Sequence, residues 1–251
     1  MLKGKKQRKY LAKKGREWQD QLQLFGRDRK EEALHDLRVA VKKIKAFTRL
    51  SKACSGRASA KDFRLLKKMF RQAGAVRDLG NLLGELDHFH SVPQEFRQQK
   101  QLLQQTETTV FIDNIGEYRK KGKKAGRRLL HDVHAIPAAC IRNWYAEQLV
   151  DIGVLLTASG DRLHKARKKI KELLYVLKVL PSGLVEGLAL DAKYLNDLQD
   201  AIGKWHDTVM VVTSWAGTDR DGGLEMVREC RERESAVRRL GDDFFLRAHV
   251  S

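Results

Sequence analysis

Leu34, His35, Arg38 and Lys42 recur with the same spacing as Leu163, His164, Arg167 and Lys171, each 129 positions further on. The offset also holds downstream. Gly74, Arg77 and Asp78 are matched by Gly203, His206 and Asp207, with Asp62/Asp191 and Leu66/Leu195 between. Such a repeat marks residues that the architecture uses twice. Most of the repeated polar groups are imidazole, guanidinium and ammonium, the groups that hold anions.

On a helix turning about 100° per residue, His35, Arg38, Lys42 and Lys45 fall within an arc of roughly 80°. Leu34, Leu37, Val41, Ile44 and Phe47 occupy the adjoining arc and can face a core. In the second copy His164, Arg167 and Lys171 share one edge and Lys168 flanks it, while Leu163, Ala166, Ile170, Leu173 and Leu177 point inward. Tyr175 falls beside His164 and Lys171, within reach of the same ligand. Cations stacked along one stripe repel one another at these spacings. A solvated face would intersperse carboxylates, so a stripe kept twice in register points to a bound anion. The offset further pairs Lys13 with Arg142 on the first helix of each half, and these read as secondary ligands. Arg64 and Lys193 read as partners of Asp78 and Asp207. Those carboxylates are expected to orient and partly neutralise the basic side chains. Gly74 and Gly203, inside a helical period, indicate a close helix approach or a kink.

The elements that position these residues read as helices throughout. Ala, Leu, Lys, Arg, Glu and Gln dominate, no alternating strand pattern survives, and Pro93, Pro137 and Pro181 all sit in breaks. Breaks at 26–28, 54–56, 91–93, 136–137, 159–161, 181–183 and 217–223 leave eight helices. Asp28 and Glu31 read as a capping box opening the second helix, and Asp161 as an N-cap. The cationic stretch 119–128 contains Gly122 and Gly126 and reads as a frayed or kinked part of the fourth helix. The expected fold is all-α: two antiparallel four-helix units in one domain over 1–251, repeat one about 1–135 and repeat two about 136–251.

Composition narrows the partners. The net charge of +18 and a pI near 9.9 attract polyanions: nucleic acid, anionic membrane or polyphosphate. Cys54, Cys140 and Cys230 are scattered and odd in number, which suits a reducing cytoplasm better than a disulfide scaffold. The lysines at 3, 5, 6 and 9 read as a mobile arm or a frayed helix end. No apolar stretch resembles a signal peptide or is long enough to span a bilayer.

Four segments, 34–45, 70–79, 163–175 and 198–207, resemble in order and spacing the signature segments of CHAD domains, the conserved histidine α-helical domains. The resemblance spans nearly the whole chain. It implies a duplicated four-helix bundle with pseudo-twofold symmetry, a basic central groove, and binding of inorganic polyphosphate, often at intracellular polyphosphate granules. It places His35, Arg38, Lys42, His164, Arg167 and Lys171 on the family's basic motif positions. The chain departs from the pattern at Glu172, where many second motifs carry a cation, which implies a weaker second copy. Several positions often filled by Arg hold Lys or Ile, trading fork-like contacts for point charges.

A polyphosphate binder needs rows of cations and no stacking platform for bases. Trp18, Trp144, Trp205 and Trp215 sit in apolar periods and read as packing residues. Three His-Asp dipeptides, at 35–36, 131–132 and 206–207, raise a metal-dependent phosphohydrolase reading. Against it, Lys165 follows His164, so the Asp is not repeated, and neighbouring cations repel a metal ion. Beyond Asp132, His131 and His134 have no further acidic partner nearby in sequence and read as a helix end. The chain also lacks the Glu-x-Glu-x-Lys signature of tunnel-type triphosphatases and any phosphate-cradling Gly-rich loop. The expectation is a non-enzyme with no metal or cofactor, cytoplasmic, with nucleic acid, RNA above all, as the competing polyanion.

Overall fold

A computed structural model describes residues 1–56, 60–88, 92–131, 133–158, 160–215 and 220–249. Among them lie eleven helices and two isolated β-bridges, and no strand. In order these are α1 (Gly4–Asp28), α2 (Glu31–Ser55), α3 (Ala60–Leu86), α4 (Gln94–Asp113), α5 (Ile115–His131), α6 (Ala138–Leu156), α7 (Asp161–Leu177), α8 (Ser182–Glu186), α9 (Ala192–Trp215), α10 (Arg220–Gly241) and α11 (Phe244–Arg247). None of these helices is long and apolar enough to cross a membrane.

The motif helices form for the reason their periodicity gives. Leu34, Leu37, Val41, Ile44 and Phe47 of α2 are buried, as are Leu163, Ala166, Ile170 and Leu173 of α7. Each large apolar side chain so buried contributes about 1.5–3 kcal/mol. In the first half α1 packs on α2 and α5, and α3 packs on α2, α4 and α5. In the second, α6 packs on α7, α7 on α9, and α9 on α10. The halves meet where α2 lies against α7 and α6, and α3 against α9. One core runs through both, with a smaller cluster of Leu82, Leu86, Val92, Val211 and Met226 beside it.

Several expectations are corrected. The fourth helix of the first half is two helices, broken at Asn114 instead of at the glycines downstream. α5 passes through Gly122 unbroken because the Trp18 ring packs where a Cβ would stand. Asp28 closes α1 and pairs with Arg27, so it caps nothing; Lys30 precedes α2, and Glu31 and Glu32 favour its positive N-terminal end. Asp161 is the first residue of α7, preceded by Gly160 in the left-handed region.

The N-terminus is neither arm nor frayed end. Leu2 is buried and exchanges backbone hydrogen bonds with Ile136 at 2.9 and 3.1 Å, and buried Gln7 donates to the carbonyls of Leu2 and His134. Cys54 and Cys140 form a disulfide between the end of α2 and the start of α6, leaving Cys230 free. The scattered positions hid this, because 86 residues of chain separate two sulfurs that the packing of α2 on α6 brings together.

Candidate anion-binding site

The packing of α2 on α7 brings cations of both copies of the motif within electrostatic reach of Lys42. Burial, then the charges of Arg38, Lys171, Arg167 and Arg77, push the Lys42 ammonium down to about 7. Those four cations come from α2, α7 and α3, so both halves contribute. Lys171 is lowered by burial and by Arg167 and Arg77, with Asp200 and Asp207 acting the other way. His35 is lowered by burial, then by Arg77, with Lys42 and Lys171 adding to it and Asp36 opposing. An ammonium held near neutrality among four cations is a site short of negative charge.

The two arginines are held differently. The Arg38 side chain is only 12 % exposed, its guanidinium 5.0 Å from the Phe70 ring centroid, and its Nη2 is 3.9 Å from an Asp78 oxygen. Its Nε and Nη1 are buried without an acceptor among the described residues. The Arg167 Nε donates to the Gln199 carbonyl at 3.1 Å. Lys193 pairs with Asp197 at 2.7 Å instead of with Asp207, which lies 3.9 Å from His206. The Arg64 side chain lies outside the described residues.

Both motif histidines are half-buried. The His164 ring stacks on His206 of α9, centroids 3.9 Å apart and planes 23° apart. Burial, then His206, Lys168 and Arg167, push the His164 imidazole down to about 4, and its Nδ1 is buried without a described partner. His35 has Arg77 in the corresponding relation.

Other predicted residues divide. Lys45 and Lys168 are exposed, and the Lys45 ammonium is lowered by burial, then by Arg49 and, from α7, by Lys168. Tyr175 is half-buried against the core, with the Lys43 ammonium 5.9 Å from its ring centroid, and shares only the field of Arg167 with the cluster. Lys13 and Arg142 are exposed on α1 and α6, and no described hydrogen bond, ion pair or ring contact joins either to the cluster. Glu172 binds Arg49 across α2 and α7, so it serves the contact between helices. Trp18, Trp144 and Trp205 are buried as expected; the Trp215 side chain lies outside the described residues.

Arg77 and His206 are the members that sequence reasoning left without a role as ligands. The signal was present, since both are basic and 129 residues apart. The cationic run on α5 stays out of the cluster, because α5 packs on α1 and α3, diagonally across from α2. Two clefts among the described residues, of about 460 and 420 Å³, lie between α1, α4 and α5 and between α6, α10 and α11, away from these cations. Among the described residues no three His, Cys, Asp or Glu side chains gather as a metal site would require.

These features define an all-helical protein whose two basic motif helices pack together on shared cations. The profile of the CHAD domain matches residues 9–214, and the chain belongs to that family. Its fold is similar to the crystal structure of the CHAD domain from the plant Ricinus communis. The TM-score is 0.75 at 15 % identity, over 98 % of this chain and 93 % of that one. No curated protein matches the sequence.

Proposed function

We propose that the protein binds inorganic polyphosphate without catalysis, as one domain of two related helical units, about 1–135 and 136–251. Their basic helices α2 and α7 line a central groove related by a pseudo-twofold axis. The observation that carries this reading is Lys42, half-buried among Arg38, Lys171, Arg167 and Arg77, where burial and those charges hold it down to about 7. Such crowding is unfavourable until an anion enters, and a chain of phosphates supplies about one negative charge per unit along a line. Lys45 and Lys168 at the exposed rim continue the line. Among the described residues the aromatic rings at the cluster, Phe70 above all, are half-buried, which leaves little platform for bases to stack on. Family membership adds the expectation of association with polyphosphate granules.

Competition tests the reading. Protein bound to labelled RNA is titrated with long-chain polyphosphate at equal phosphate concentration and fixed salt, because salt alone weakens either complex. Polyphosphate is expected to displace the RNA. Failure to do so transfers the site to nucleic acid, and phosphate release with Mg²⁺ that survives repurification would make the protein an enzyme.

A further inference from the structure

Gly74 lies inside α3 and Gly203 inside α9, and neither has a positive φ. The backbone at these positions accepts any residue, and glycine is a poor helix former. What requires glycine is space. A Cβ on Gly74 would overlap the Arg38 Nη1 and sit 3.4 Å from Cζ; one on Gly203 would sit 2.6 Å from the Arg167 Nη2 and 2.9 Å from Cζ. The Gly–Arg relation recurs at the offset of 129, each glycine serving the arginine of its own copy. The glycine at 122, by contrast, meets the apolar Trp18 ring and makes room for a core contact.

We propose that Gly74 and Gly203 are positioning residues for polyanion binding. Each keeps the neighbouring helix bare so that a guanidinium lies flat against it. The proposal rests on the polyphosphate reading for its ligand, and on the paired geometry for its mechanism. The atoms that a methyl group would meet are the far ends of flexible side chains, so alanine leaves the helix packing in place and expels the guanidinium. The arginine then swings from its seat and loses the orientation that lets two of its donors meet one phosphate.

The test compares Gly74→Ala, Gly203→Ala and their combination with the wild type. Melting temperatures are expected to stay or rise, because alanine is the better helix residue. Affinity for long-chain polyphosphate at fixed salt is expected to fall roughly tenfold per site, as for one weakened charged hydrogen bond. In an Arg38→Gln background Gly74→Ala should add nothing, and likewise Gly203→Ala in Arg167→Gln. Alanine variants that bind like wild type, or losses that add in full to those of the arginine variants, overturn the proposal. Should an alanine variant fold poorly, the matching glutamine substitution is expected to rescue it; no rescue also overturns it. Side-chain NMR of the arginine Nε–H groups reads the seats without ligand, and alanine should change the Arg38 and Arg167 signals selectively. A wild type with both seats intact that ignores polyphosphate would defeat the ligand assignment and leave the seating mechanism standing.

Discussion

Around His35 the facing charge on α3 is Arg77; around His164 the residue at the same register on α9 is His206, stacked ring on ring. One copy keeps a permanent cation beside its histidine. The other has an imidazole in that place. Arg38 has two buried donors with no acceptor among the described residues, whereas Arg167 already donates to the Gln199 carbonyl. The repeat therefore conserves the placement of basic groups while letting their charge and readiness diverge. On this comparison the first copy is expected to hold an anion more strongly than the second.

The largest effect expected is from removing both motif arginines. Arg38→Gln combined with Arg167→Gln should lower polyphosphate affinity roughly 100-fold or more, at about 1.5–3 kcal/mol for each lost charged hydrogen bond. Helicity and melting temperature should change little, which circular dichroism checks. Of the single variants Arg38→Gln should cost more at pH 8; equal costs would erase the distinction between the copies.

A smaller effect concerns protons. Bound phosphate favours charged Lys42 and His164, so binding should take up protons, and affinity should weaken as pH rises from about 6.5 to 8.5. In the free protein the sign is opposite. A base whose pKa is depressed on folding costs stability in full below the folded value, here about 7 for Lys42. The cost is relieved as pH rises toward the unfolded value near 10.4. Calorimetry in buffers of different ionisation enthalpy counts the protons taken up. His206→Arg should raise affinity roughly tenfold, as expected for one added charged contact. An unchanged affinity would mean that the stacked pair takes no part.

The smallest effect is at Glu172. Glu172→Gln frees Arg49 and removes a carboxylate beside Lys45, so affinity should tighten only a few-fold, and partly exposed pairs of this kind contribute about 0–1 kcal/mol to stability. Weaker binding in this variant would instead make the Arg49 pair a device that aligns α2 with α7.

The apolar stripes of α2 and α7 were legible in the sequence because helical period and burial are local consequences of residue order. The recurrence of the basic motif needs only an offset to be read. The ends of the helices were less legible. Asp28 carries the chemistry of a cap, yet α1 runs on to include it, and Gly116, near the break at Asn114, falls inside α5. Lys13 and Arg142 show the limit of the repeat, since equal register places two residues equivalently without placing either at the site.

Sequence by itself determined an all-helical, strongly basic chain and the family it belongs to, since periodicity, charge and motif order are properties of the line of residues. Only the tertiary structure decided that Lys42 meets cations of both copies, that Cys54 bonds Cys140, and that Arg77 and His206 face the histidines. The physical reason is that these encounters depend on distances between helices. Core packing sets those distances, and no spacing along the chain contains them.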